Sequence, residues 1–215
     1  MTQQSSHSGE RETGGSVRCA AKLAAAAERL KSDSGMSAAP FSLAFMTDRH
    51  RIDNPLAIVE ALPARAAVIL RDYDLPARAA LARQLRRVTE ARDVFLLIGG
   101  DAALAEAVKA DGVHAPSTMN PDRSSTAGVL TAACHNEAEL RRARACKVDI
   151  AFLSPVFPTG SHPDAPTLGA EEFRRLARET NLPIIALGGV NAENASELAG
   201  PNVVGIAAIS AFKGD

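Results

Sequence analysis

The sequence predicts an α/β protein folded as a (β/α)8 TIM barrel. Three observations carry that expectation. Eight short apolar runs alternate with segments of helical spacing, the pattern of a parallel sheet closed by helices. The runs are continuously hydrophobic, as strands buried on both faces read. The last three end in small or hydroxyl residues: Ser154 and Thr159, Gly188 and Gly189, and Ser210. Backbone N–H groups approach an anion closely at such ends, and the loops after strands 7 and 8 of this fold commonly hold phosphate.

Taken in order, residues 1–15 are polar and Gly/Ser-rich and read as a disordered tail. Residues 16–215 read as one barrel domain, with the barrel proper from about residue 41. Residues 17–31 are Ala-rich, with Leu23, Ala26, Ala27 and Leu30 at i, i+3, i+4, i+7 helical spacing. Strands are expected at 41–47, 66–71, 94–99, 112–114, 129–134, 150–155, 184–188 and 203–209. Helices are expected at 56–62, 76–92, 102–110, 137–146, 170–179 and 192–198. The 115–128 connection is rich in Pro, Ser and Gly and reads as a turn. Five residues follow Ser210, leaving strands 8 and 1 without the usual eighth helix. The helix at 17–31 is expected to take its place. The spacer SDSGMSAAP spans at most about 30 Å, enough to reach across that face. A partner subunit in a homo-oligomer is the other cover such a face could have.

Composition narrows the function. A hydrophobic content of 46% with 4% aromatics gives an aliphatic core. Lys and Arg total 24 against 25 Asp and Glu, a balance that argues against a nucleic-acid or anionic-membrane partner. The three cysteines, Cys19, Cys134 and Cys146, lack metal-ligand spacing and fit a reduced, cytoplasmic compartment. No run is long enough to span a membrane, and the first residues lack a secretory apolar core.

The stretch SPVFPTGSHPDAPTLG, followed by ALGGVNAENASEL and GIAAISA, closely resembles the thiamine-phosphate synthase and TenI superfamily. Three motifs occur in order at suitable spacing. The resemblance extends more weakly back to Phe41, over about four fifths of the chain. It implies a small phosphorylated thiazole or pyrimidine ligand. By that resemblance Gly188, Gly189, Ile209 and Ser210 hold phosphate, and Thr159, Ser161 and His162 contribute from the strand 6 loop. Arg71 would project over the mouth, where a guanidinium grips phosphate bidentately; the structural alternative is an ion pair with Asp72 or Asp74. Thr47-Asp48 match the family's Thr-Asp.

The resemblance breaks at the metal. The synthase pattern after strand 3 is Ile-Asn-Asp-Arg, whose Asp binds magnesium; here Gly100 stands at that place, with Asp101 one residue late. A second magnesium Asp is replaced by Met119, and a thioether is a poor ligand for that hard cation. Lysines of the family pattern are replaced by Tyr73 and His162. No protein metal site is expected, and no cofactor unless the chain is an active, magnesium-using synthase.

His135 matches the proposed acid/base of TenI-type thiazole tautomerases, and histidine suits proton transfer near neutral pH. His114 reads as structural, and Cys134 as buried filler. Three functions follow: a metal-independent TenI-type isomerase using His135, which the residues favour; a thiamine-phosphate synthase, a transferase; or a non-catalytic phosphate-ligand barrel.

Overall fold

A computed structural model of the chain describes residues 6–159 and 166–213, with side chains from residue 14. Eight parallel strands close into a barrel in sequence order: β1 (Leu43–Met46), β2 (Ala67–Leu70), β3 (Phe95–Gly99), β4 (Gly112–Ala115), β5 (Val129–Cys134), β6 (Ile150–Leu153), β7 (Ile184–Ala186) and β8 (Val203–Ala208). β8 pairs back onto β1, with Ala44 opposite Ala207. Each strand lies within its expected segment except at β4, which runs one residue further. Nearly every strand residue is buried, which is why the runs do not alternate.

Among the described residues six α-helices accompany them: α1 (Ser6–Asp33), α2 (Pro55–Ala61), α3 (Arg78–Ala91), α4 (Ala102–Ala107), α5 (Glu137–Ala145) and α6 (Gly169–Glu179). Asn54, Asp101 and Asn136 cap α2, α4 and α5 by accepting the N–H three residues on. Between β7 and β8 the expected helix is only a 3-10 turn over Ala195–Leu198. The 115–128 connection has no helix. Arg65, Asp93, Lys109, Lys147 and Asn202 adopt left-handed backbone shortly before β2, β3, β4, β6 and β8. The same reversal therefore recurs at the amino ends of the strands, the face opposite the site.

Helix α1 differs from expectation at its start. It begins at Ser6, so backbone assigned by sequence to a disordered tail continues the helix. Once a helix is nucleated, each added residue costs little, and Gly14-Gly15 do not end it. Its far end behaves as its spacing predicts. Ala20, Leu23, Ala26, Ala27 and Leu30 are all buried, and the helix packs on β8, β1 and α2. Lys31 Nζ donates to the Ala39 carbonyl at 2.8 Å, and the Asn202 N–H donates to the Ser34 carbonyl at 3.0 Å. The Cys19 thiol donates to the Lys213 carbonyl at 3.3 Å. Helix α1 thus covers the β8–β1 face in place of an eighth helix.

Candidate active site

The carboxyl ends of β1, β2, β5, β6, β7 and β8 converge on a cavity of about 750 Å³. Of the residues assigned from sequence, Arg71, His135, Thr159, Gly188, Gly189, Ile209 and Ser210 line it. Ser161 and His162 lie outside the described residues. Asp48, Arg51 and Thr167 also line the cavity and were not assigned to it from sequence. Arg51 had a readable signal, lying three residues after an acidic strand end; Thr167 had none. The ends of β3 and β4 do not line it, so the cavity leans to one side of the mouth.

The Gly188-Gly189 turn follows β7 with φ of 94° and 65°, where a Cβ is strained. A Cβ on Gly188 would lie 2.8 Å from Pro155 Cα, and one on Gly189 2.6 Å from the Pro158 carbonyl oxygen. The β6 loop packs directly on this turn, because the Val156 and Phe157 N–H groups donate to the Leu187 and Gly188 carbonyls at 3.0 and 2.9 Å. Among the described residues, neither glycine's N–H donates to a protein acceptor. Both donors remain available to an anion. Asn191 and Asn194 brace the turn, with the Asn194 side-chain amide donating to the Gly189 carbonyl at 2.9 Å.

Across the cavity, Arg71 pairs with Asp48 at 3.5 Å, and Arg51 reaches the same carboxylate at 3.0 Å. The sequence alternative, a pair with Asp72 or Asp74, is not formed. Asp72 is buried and accepts from the Thr47 hydroxyl at 2.5 Å and the Arg49 N–H at 2.7 Å, while Asp74 pairs with Arg49. Burial pulls the Asp48 carboxyl upward, but the Arg51 hydrogen bond, the His50 N–H and the two guanidinium charges outweigh it and hold it below its usual value. Two guanidinium groups against one carboxylate leave this wall net positive, the sign a phosphate requires.

His135 lies at the end of β5, where Asn136 begins α5. Its N–H donates to Glu139 Oε2 at 2.8 Å, and Glu139 in turn gives its own N–H to Asn136 Oδ1. The ring is fixed by Nδ1, 2.7 Å from the Ser154 carbonyl oxygen. A carbonyl only accepts, so Nδ1 carries a hydrogen, and in the neutral ring Nε2 is the nitrogen with the lone pair. His114, by contrast, is fully buried, 2.9 Å from the Thr131 hydroxyl and edge-on to Phe152. Burial, with a smaller push from Arg71, lowers its pKa to about 3, so it stays neutral. Burial drives the Cys134 thiol up to about 12, helped by Glu139, which makes it a poor nucleophile.

Residues 43–212 match the family described as thiamine monophosphate synthase. The chain belongs to that family. A thiamine-phosphate synthase of Roseiflexus sp. is 35% identical over 168 residues, covering 72% of this chain and 69% of the relative. Another from Pyrococcus furiosus is 30% identical over 176 residues, covering 79% and 85%. The solved thiamine phosphate pyrophosphorylase from Pyrococcus furiosus aligns with a TM-score of 0.67 at 26% identity, over 80% of this chain and 87% of that one.

The magnesium that this family implies does not fit the side chains present. Gly100 and Met119 offer no hard oxygen ligand. Asp101 caps α4 through Leu104 N–H at 2.8 Å and lies 3.5 Å from Arg78. A Cβ at Gly100 would already meet Met119 Sδ at 3.4 Å and Pro116 and Tyr73 carbons at 3.5 Å. Among the described residues no group of three or more His, Cys, Asp and Glu is placed to hold an ion. Among the described residues no helix is long and apolar enough to cross a membrane.

Proposed function

We propose that this barrel binds a thiazole-phosphate-like ligand of thiamine metabolism and isomerises it without metal, with His135 moving the proton. The observation that carries this reading is the fixed His135 ring. Its Nδ1–H is spent on the Ser154 carbonyl, and His135 lines the same cavity as Gly188 and Gly189. With phosphate held at Gly188, Gly189 and Ser210, Nε2 takes a proton from one ring position and returns it at another. The ring gains and loses no atoms overall, and the step needs no external oxidant. Arg71 and Arg51 balance the phosphate charge.

A second reading, the transferase thiamine-phosphate synthase, is favoured by the names of the relatives. The two differ in metal requirement. Proton exchange on a thiazole phosphate that persists in chelator supports the isomerase. Coupling of thiazole phosphate to a pyrimidine pyrophosphate, lost in chelator, supports the synthase. In the first case His135→Asn is expected to lower turnover about 10²–10⁴-fold, with ligand affinity within a few fold of the parent. Full turnover in that variant would make His135 structural.

A further inference from the structure

One carboxylate lies among groups assembled for an anion. Among the described residues, Asp48 is the sole acidic side chain lining the cavity. Strand pairing fixes its place there. β1 lies between β8 and β2 in the barrel. Phe45 pairs with Ala208, two residues short of Thr47 and Ser210, and Met46 pairs with Ile69, two residues short of Asp48 and Arg71. The β1–β2 ladder continues past the strands: the Thr47 N–H donates to the Ile69 carbonyl at 3.0 Å, and the Arg71 N–H donates to the Thr47 hydroxyl at 3.0 Å. Asp48 therefore stands between Ser210, at one end of the phosphate cradle, and Arg71.

The carboxylate is built into that place. Its Oδ1 accepts the His50 N–H at 3.1 Å, and its carbonyl accepts the Arg51 and Ile52 N–H groups at 3.0 and 2.9 Å, so residue 48 opens a tight turn. On either side of it, the Thr47 hydroxyl and the Arg49 N–H are held by buried Asp72. The other oxygen, Oδ2, faces both guanidinium groups. Arg51 Nε donates to it at 3.0 Å, whereas the Arg71 terminal nitrogen stands off at 3.5 Å. Arg71 Nε reaches the Thr47 carbonyl only at 3.4 Å. A carboxylate that orients a guanidinium does so through short, paired hydrogen bonds. Asp48 instead offers Arg71 one shared oxygen, at a distance that an arriving phosphate improves on.

We propose that Asp48 is an internal competitor for Arg71: in the ligand-free cavity its carboxylate holds the place beside that guanidinium that a ligand phosphate takes, and it thereby sets how tightly the cavity binds anions. This rests on the phosphate-binding reading given above and adds a residue that opposes the ligand. A phosphate seated at the end of β8 is one strand spacing, about 5 Å, from the end of β1. It therefore meets the Asp48 charge before it meets Arg71, one strand further on. Arg71, held by the longer contacts, turns from Oδ2 to the phosphate, while Arg51 stays hydrogen-bonded to Asp48. The ligand gains a guanidinium only as the carboxylate loses one, so the net gain is smaller than the new pair alone would give.

Inorganic phosphate is the probe, titrated by calorimetry into the full-length protein. Asp48→Asn is nearly isosteric and keeps the oxygen that accepts the His50 N–H. It is expected to tighten phosphate about tenfold. Asp48→Ser, whose hydroxyl can cap the same turn, should act in the same direction. Arg71→Gln is expected to weaken phosphate more in the Asp48→Asn background than in the parent, because only in the parent does Arg71 leave a carboxylate to reach the ligand. Phosphate affinity that is unchanged or weaker in both Asp48 variants, as loss of an orienting partner would give, overturns the proposal. So does an equal effect of Arg71→Gln in the two backgrounds. Ser210→Asp separates the two readings. If it weakens phosphate while neither Asp48 variant tightens it, the cradle stands and only the competitor fails. If phosphate affinity does not respond to Ser210→Asp, the cradle fails, and the competitor with it.

Discussion

Removing α1 tests whether it is part of the barrel. Deletion of residues 1–33 takes away the buried side chains of Ala20, Leu23, Ala26, Ala27 and Leu30. At about 0.8 kcal/mol per buried methyl(ene) and roughly 2 kcal/mol per buried leucine, that stripe contributes about 6 kcal/mol. The β8 and β1 side chains beneath it lose a comparable cover, so the total approaches the 5–15 kcal/mol that holds a typical domain together. The deletion is therefore expected to yield aggregated or unfolded protein. Deleting residues 1–15 stops short of the stripe and should leave thermal stability nearly unchanged. A graded version uses Leu23→Ala, which replaces a leucine 2% exposed. Its cost of about 3 kcal/mol corresponds to a drop in Tm of roughly 6–12 °C for a domain of this size. Scanning calorimetry of the two truncations and the point variant reads all three. Equal Tm for the two truncations would refute the argument, and would show that the β8–β1 face is covered by something other than α1.

Further outcomes concern the site and the interior. Ser210→Asp, at an exposed position on the cavity wall, should weaken inorganic phosphate binding by repulsion with little change in Tm; Gly189→Ala should instead lower Tm, because its Cβ meets the Pro158 carbonyl. Titration calorimetry of the ligand-free protein with magnesium should give no micromolar site, since neither Gly100 nor Met119 can ligate; a tight site would refute the reading. His114 makes stability pH-dependent. Its folded pKa is about 3 and its unfolded value is 6.5, so below 6.5 the unfolded chain takes up the extra proton and stability falls as pH falls, until about 3. Between pH 7 and 5 this amounts to about 2 kcal/mol, measured by urea unfolding as the difference between the parent and His114→Gln. Equal losses in the two proteins would mean that His114 is protonated in the fold.

The strands, their order and the α1 stripe were legible along the chain. Continuous apolar runs can be buried on both faces only in a parallel sheet under helices, and the 3.6-residue spacing of Leu23, Ala26, Ala27 and Leu30 fixes which side is buried whatever it packs against. The missing carboxylates at Gly100 and Met119 were equally plain, because a side chain's ligating chemistry is local. What the sequence could not reveal was which charges meet. Arg71 had Asp72 and Asp74 close along the chain, yet it pairs with Asp48 from β1. The Thr47 hydroxyl and the Arg49 N–H had already engaged Asp72, and parallel pairing of β1 with β2 sets their ends side by side. Pairing of β5 with β6 likewise brings the Ser154 carbonyl to His135 Nδ1 and puts a hydrogen there. Pairing of β2 with β3 lays Tyr73 over Gly99 and Gly100. Periodicity and residue chemistry act within a few residues, so the chain itself determined the fold and the candidate residues. Hydrogen-bond partners depend on which strands pair, and the one-sided cavity on strand ends gathered around the closed barrel, so only the tertiary structure decided them.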